Sequence, residues 1–585
     1  MQTNPISANP SQIMIEQLAA SGVKYVFNNS GSREARFFDA LHAHPDIHGI
    51  LALHEGGVAA MAGGYTQVKL DAAVMLVHLG AGLAQCLGQL INIWSGKFPV
   101  VVITFAGDTG SYLDKIELDF DHSFGPTSIS APFTKANWTV IEPDGLPQAI
   151  HRALRVAKTP PVGPVHLAVY DRLLHDQQVT TNIIEGDIPN LRAGYPDDND
   201  VEAVARSLCD AERPLLYIGD GVWKSGAGLH AAAIAEHFGI PIAGDMRGVS
   251  IKHKLHCGRF DQAGKLLNPD VIVCIGVRHT GTGHPRDFVT FSAAQEIIAI
   301  GSDNEHLKNT QTLDLAILAD ECRTLERLKE LATKEFAPNR FDERRNMAHE
   351  QATALRAQRM QAAQRVAPQA GKVRPWILAD ALDAALERLG GGHVMIEQFA
   401  VPLDNLGAAH KANNTVYIRP AGGSEGYGVG GTIGVKLAAP DKPVVGLVGD
   451  GSMFYADSGM WTAAHHGIPV LYIVPNNRCY GVVANLFSKT DGTTMQRSGE
   501  YAGVVLDGAD PVKLADGFGI DGMHVQDESY LPDAIAHGLD VVEGEGRPFL
   551  LNVHLPLGLP KGGRTAAPFR LKDTTKASEL NPDIS

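Results

Sequence analysis

A chain of 585 residues is long enough for three or four domains, each with its own core. Its 44% hydrophobic and 20% charged content is that of a soluble globular protein, and a net charge of −15 excludes nucleic acid and anionic membranes as natural partners. No run approaches the ~20 apolar residues of a membrane helix. The N-terminus lacks the basic start and apolar run of a signal peptide, and the six cysteines form no Cys-x-x-Cys pair, which together predict a cytoplasmic protein with reduced thiols.

Taken in chain order, the apolar periodicity predicts a helix near Ser11–Ser21 and strands at Tyr25–Asn28, Ala72–His78, Val100–Phe105 and Val165–Val169. These form a first block over residues 1–185. A polar stretch from Tyr195 to Asp200 opens a central block, 195–335, with strands at Leu215–Ile218, Val271–Ile275 and Ile297–Ile300. A charged helical segment, Arg340–Arg365, lies in a linker over 336–372. The last block runs over 373–557 and is followed by a basic tail, 558–585. No short repeat or low-complexity tract interrupts this order. The expected class is α/β, with three doubly wound parallel-sheet domains.

The last block carries the most specific pattern. Pro443-Val-Val-Gly-Leu-Val448 reads as a buried parallel strand capped by Gly449-Asp450-Gly451. Ser452 to His466 reads as a helix, and Val470–Val474 as the neighbouring strand, followed by Pro475-Asn-Asn477. Asp450 and Asn477, 27 residues apart, therefore emerge side by side at a carboxyl sheet edge, where α/β folds bind phosphates. A carboxylate and an amide oxygen are hard ligands suited to Mg²⁺. The spacing, not the tripeptide, carries the signal. A second copy, Gly219-Asp220-Gly221, has Arg247 at the matching distance, a poor metal ligand, and reads as an ordinary strand-to-helix turn.

The Gly-Asp-Gly to Asn-Asn spacing resembles the binding motif of thiamine-diphosphate (ThDP) enzymes. The surrounding sequence looks most like the group of acetolactate synthase, benzoylformate decarboxylase, pyruvate decarboxylase and the 2-hydroxyacyl-CoA lyases. The resemblance spans nearly the whole chain and implies pyrimidine-binding, central and diphosphate-binding domains. It implies Mg²⁺ on Asp450, Asn477 and the main-chain carbonyl of Cys479. It also implies a diphosphate framed by Gly449, Gly451, Ser452 and Met453, and a Gly423 carbonyl offered to the aminopyrimidine. Glu55, in Leu53-His-Glu-Gly-Gly-Val58, would hydrogen-bond that aminopyrimidine and activate the cofactor. A homodimer or homotetramer with active sites between subunits follows by the same resemblance.

Further candidates lie in loops after strands. Ser32 falls where benzoylformate decarboxylase-like sequences contact the substrate carboxylate, although capping of the helix that begins at Arg33 also accounts for it. His78 matches a proton-relaying His of the decarboxylase-like members, and His122 a Gln or His facing the cofactor. His279 and His284 align ambiguously, while His42, His44, His48, His465 and His466 read as solvated or packed. Val483 and Leu486 are expected apolar walls of the substrate pocket. Glu425 stands where the family places a bulky apolar residue beneath the cofactor, so either the register slips or a carboxylate enters the pocket. The central block has Gly301-Ser-Asp303 in place of the family's Asp-x-Asp, so FAD is not predicted, and ADP or a CoA ester there is left open. Arg278 reads as solvated or as a phosphate contact.

These readings point to a ThDP- and Mg²⁺-dependent enzyme acting next to the carbonyl of a small, anionic substrate. Non-oxidative decarboxylation of a 2-oxo acid leads. Carboligation of acetolactate synthase type and cleavage of 2-hydroxyacyl-CoA or cyclic diketones are the alternatives, with a non-catalytic ThDP-binding homologue as the reading from another class. The basic tail would serve either as a lid or as a surface segment.

Overall fold

Three parallel sheets organise the chain in the computed structural model, which describes residues 2–107, 125–186, 188, 191–278, 294–308, 313–402, 415–487, 490–494, 497, 500–557, 560–561, 564–565 and 570–572. The first sheet has six strands in the order His48–Leu51, Tyr25–Asn28, Ala73–Leu76, Val100–Ala106, Val165–Tyr170 and Ala136–Val140. The third has the same topology: Val416–Ile418, His393–Glu397, Val444–Val448, Leu471–Asn476, Phe549–His554 and Asp521–Val525. Between them in sequence, a five-stranded sheet runs Ile242–Gly244, Pro214–Ile218, Val271–Ile275, Glu296–Gly301 and Leu315–Leu318. Central strands such as Val444–Val448 and Val271–Ile275 are buried at every position. That explains why neither strand carries a polar side chain, since both faces of a parallel sheet are covered by helices.

The structure adds what the periodicity leaves out. In the first two domains the strands expected from sequence are the interior ones. His48–Leu51, Ala136–Val140, Ile242–Gly244 and Leu315–Leu318 are sheet edges, short and less completely buried. Gln2–Ala8 pairs antiparallel with Val179–Glu185 and ties the start of the first domain to its end. The helix expected from Ser452 to His466 is two pieces, Asp450–Phe454 and Gly459–His465. Between them the Asp457 carboxylate accepts the Ser458 N–H at 2.7 Å, a local bond that competes with the helical ladder.

The charged helix Asp342–Gln364 packs on the central domain rather than bridging domains as a free linker. Arg344 donates to the carbonyls of Leu208, Ala211 and Phe238, at or just beyond the ends of the helices Asp198–Asp210 and Gly228–Phe238. Its guanidinium thus satisfies carbonyls left open where those helices stop.

The first and third domains share one core, built on the helices Glu55–Lys69 and Gly428–Ala438. Glycines let the two backbones touch. A Cβ at Gly64 would lie 2.2 Å from the Gly431 carbonyl oxygen, and one at Gly434 would lie 2.0 Å from that of Met61. Gly434→Ala should therefore force the helices apart and cost about 3 kcal/mol of stability. Gly517→Ala, at an exposed helix end with nothing within 4 Å of its Cβ, should be neutral or slightly stabilising. Thermal unfolding of the two variants checks the contrast.

Candidate functional site

Each sheet has one place where neighbouring strands lead into connections on opposite sides, and α/β folds bind ligands at such switch points. In the third domain it lies between the ends of His393–Glu397 and Val444–Val448. Asp450 opens the short helix there and is 4% exposed. Burial pushes its carboxyl up to about 6, against backbone N–H groups, including those of Gly451, Arg478 and Asn477, that pull it down. Its Oδ2 has no hydrogen-bond partner among the described residues. A buried carboxylate oxygen left without a donor invites a cation.

Asn477 follows the strand Leu471–Asn476 and is 5% exposed. The chain then turns sharply, with Arg478 at φ 57° and Asn476 Oδ1 accepting the Arg478 N–H at 3.0 Å. This turn brings Asn477 and Cys479 to the same cavity as Asp450. No cluster of three or more His, Cys, Asp or Glu forms a metal cage among the described residues. Asp450, the Asn477 amide and the Cys479 carbonyl instead supply a few hard oxygen donors, which fits Mg²⁺ with room for phosphate oxygens.

The cavity is about 190 Å³ and is lined by Gln398, Glu425, Asp450, Ser452, Asn477 and Val483, among others. Glu425 is thus in the pocket, and its carboxylate accepts the Ser452 hydroxyl. Gly423 has φ 75°, with open space around its Cβ position. Leu486 lies outside the lining and is 57% exposed one turn beyond Val483. The sequence gives no sign of Glu397 beneath this loop. It is buried and accepts the Tyr427 and Gly428 N–H groups at 3.0 and 2.6 Å. Burial pushes its carboxyl up to about 8, against those donors, and the Glu425 charge adds to the rise.

The first domain gathers a second set at its own switch point. His54 caps the helix that begins at Glu55, its Nδ1 accepting the Gly56 N–H at 2.9 Å. A Cβ at Gly82 would lie 3.1 Å from both Glu55 Oε1 and His78 Cβ, so these side chains flank the same glycine. His78 Nδ1 is 2.9 Å from Oε1 of Glu34, a fully buried residue that the sequence reading overlooks. Gly31 passes so close that a Cβ would lie 2.5 Å from His78 Nδ1. Ser32 starts the turn Ser32–Glu34 and is exposed; the cap position belongs to Gly31, without a side-chain bond. Neither Ser32, Glu55 nor His78 lines the Asp450 cavity of the same chain. His122, His279 and His284 lie outside the described residues, as does most of the tail. His466 bridges the two domains by accepting the Leu51 N–H at 2.9 Å.

The central domain fills its switch point with its own charges. Asp220 is paired with Arg278, with Lys224 at 2.8 Å and with Arg247 at 3.9 Å. Burial opposes ionisation, but these cations hold the carboxyl well below the usual range. Arg278, read from sequence as solvated or as a phosphate contact, instead binds Asp220 and donates to the Ser95 carbonyl at 2.8 Å. A separate cavity of about 350 Å³ adjoins it, bordered by Lys97, Arg192, Asp303 and Glu321. No helix of the described residues is long and apolar enough to cross a membrane.

Comparison with known proteins agrees with this arrangement. Residues 9–123 match the N-terminal TPP binding domain of thiamine pyrophosphate enzymes, 201–328 the central domain, and 405–553 the C-terminal TPP binding domain. The large subunit of acetolactate synthase isozyme 3 from Escherichia coli is 24% identical over 91% of this chain and 92% of its own length. Benzoylformate decarboxylase from Pseudomonas aeruginosa is 24% identical over 92% and 97%. In fold, the chain superposes on a thiamine diphosphate-dependent 4-hydroxybenzoylformate decarboxylase from Rhodococcus jostii with a TM-score of 0.77 and 22% identity, covering 94% of this chain and 99% of that one. Three consecutive domain matches over sheets of the corresponding architecture place this chain in the family of thiamine-diphosphate-dependent enzymes.

Proposed function

We propose that this protein is a ThDP- and Mg²⁺-dependent lyase that decarboxylates a 2-oxo acid without oxidation. The observation that carries the reading is the Glu34–His78 pair beside Glu55. ThDP supplies a nucleophilic carbon and an electron sink for cleavage next to a carbonyl. Asp450, Asn477 and the Cys479 carbonyl would hold the metal, and Gly449, Gly451, Ser452 and Met453 the diphosphate. Glu55 and the Gly423 carbonyl would be the acceptors for the aminopyrimidine.

Replacing the lost carboxylate requires delivery of a proton, and His78 would be the proton carrier. Glu34 engages its Nδ1, which fixes the tautomer and assigns exchange with substrate to Nε2. Ser32, in the same turn as Glu34, would meet the substrate carboxylate. Val483 supplies an apolar wall to the cavity.

Glu55 does not line the Asp450 cavity of its own chain, which favours a site completed by a second subunit. Phe399 and Tyr455, which line the cavity, are 56% and 62% exposed, and Leu486 beside it is 57% exposed, apolar surface suited to that contact. A homodimer, or a homotetramer built from two, follows.

Purified protein supplied with ThDP and Mg²⁺ should release CO₂ from an aromatic or aliphatic 2-oxo acid. A panel including pairs of 2-oxo acids, 2-hydroxyacyl-CoA esters and cyclic diketones, read by mass spectrometry, distinguishes the outcomes. Condensation products would favour the activity named in the acetolactate synthase relatives. Binding of ThDP without turnover of any compound would mark a non-catalytic homologue. Asp450→Ala should abolish Mg²⁺-dependent ThDP binding. Glu55→Gln should keep binding and lose cofactor activation, measured as H/D exchange at the thiazolium carbon.

Glu34→Gln should lower kcat by about 10²-fold, the usual scale of a general acid–base contribution. KM should change little, and the basic limb of the kcat pH profile should shift down, because the proton-donating imidazolium loses its carboxylate partner. An unchanged pH profile would remove Glu34 from the mechanism.

A further inference from the structure

The Asp450 cavity has an unusual charge for a diphosphate site. None of the described residues lining it is Lys, Arg or His, and two are carboxylates, Asp450 and Glu425. Asp450 faces the metal in the reading above. Glu425 has no such task, yet it is held firmly in place.

Its carboxylate accepts the Ser452 hydroxyl, and its backbone is gripped from the first domain. The helix Ala81–Gly96 supplies Gln89 and Asn92, which are 7% and 0% exposed. Gln89 Nε2 donates to the Glu425 carbonyl at 2.7 Å. Asn92 Nδ2 donates to the Ser424 carbonyl at 2.8 Å, and Asn92 Oδ1 accepts the Gly422 and Ser424 N–H groups at 2.9 and 3.2 Å. The two amides also bond each other at 2.7 Å. Gly422 leaves no room for anything larger, since a Cβ would sit 2.8 Å from Asn92 Oδ1. These bonds fix the backbone from which Glu425 projects, and the Ser452 hydroxyl holds its carboxylate at the cavity wall.

A ligand with an anionic diphosphate must therefore bring positive charge of its own. A divalent metal offsets only part of the charge of the diphosphate and Asp450, so Glu425 is left to be met by a second cation. We propose that Glu425 is the counter-charge that makes this cavity select a cationic heterocycle, discriminating the thiazolium of ThDP from a neutral ring bearing the same side chains. Gln89 and Asn92 are the positioning residues that hold it there. The inference rests on the ThDP site described above and adds a specificity determinant to it.

The test is calorimetric titration of the apo-protein, in saturating Mg²⁺, with ThDP and with its neutral deaza analogue, in which carbon replaces the charged ring nitrogen. Glu425→Gln should weaken ThDP binding about tenfold or more, the scale of one charge-assisted contact. It should leave the affinity for the neutral analogue unchanged. Equal loss for both ligands, or no loss for ThDP, overturns the proposal. Gln89→Leu should reduce the same discrimination by less, and should add nothing to it in the Glu425→Gln background. An equal effect of Gln89→Leu on both ligands overturns its positioning role. Thermal unfolding of the apo variants reports any general destabilisation separately. If wild-type protein binds neither ligand, the ThDP reading itself fails.

Discussion

Everything at the candidate site depends on one glycine-lined contact. The helices Glu55–Lys69 and Gly428–Ala438 meet backbone to backbone through Gly64, Gly431 and Gly434, where no Cβ fits. One begins at Glu55, proposed above to activate the cofactor. The other begins just after the loop that carries Gly423 and Glu425. Tyr427, fully buried at the junction, donates its hydroxyl to Gln67 Oε1 at 2.8 Å and pins that loop to the first domain. Because the contact is main chain against main chain, it leaves little latitude for sliding, so Glu55 and the Gly423–Glu425 loop of one chain keep a fixed relation, each facing its own shared site.

The three switch points show how similar starting geometry yields different outcomes. Asp220 and Asp450 each follow a buried strand and a glycine, and the residue 27 positions later returns to each site. In the central domain that residue is Arg247, and with Arg278 and Lys224 it fills the acidic corner with covalently attached cations. In the third domain it is Asn477, and Asp450 keeps a buried oxygen without a donor. The first leaves no call for a metal, whereas the second remains costly until one binds. In the first domain the switch point holds a carboxylate–imidazole pair suited to proton transfer.

Much of this was legible in sequence, for physical reasons. Interior strands such as Val271–Ile275 are buried on both faces and announce themselves as unbroken apolar runs. Edge strands such as His48–Leu51 and Ile242–Gly244 carry a mixed pattern, and their pairing is decided by the neighbouring strand. Asp450 and Asn477 were readable because both lie at fixed offsets from strands. Glu34, Glu397, Gln89 and Asn92 were not, because their roles depend on partners 30 to several hundred residues away. The arginines of Asp342–Gln364 were legible only as a charged helical segment for the same reason. Their partners are carbonyls of the central domain, more than a hundred residues upstream.

The central claim is that Glu55 of one subunit completes the Asp450 cavity of another. Complementation tests it most directly. Glu55→Gln and Asp450→Ala proteins, each inactive alone, are mixed under conditions where subunits exchange, and hybrids are verified by native mass spectrometry. A hybrid dimer then holds one cavity with both wild-type groups and one with neither, so activity should return on mixing. Hybrids that form and remain inactive would contradict the shared site.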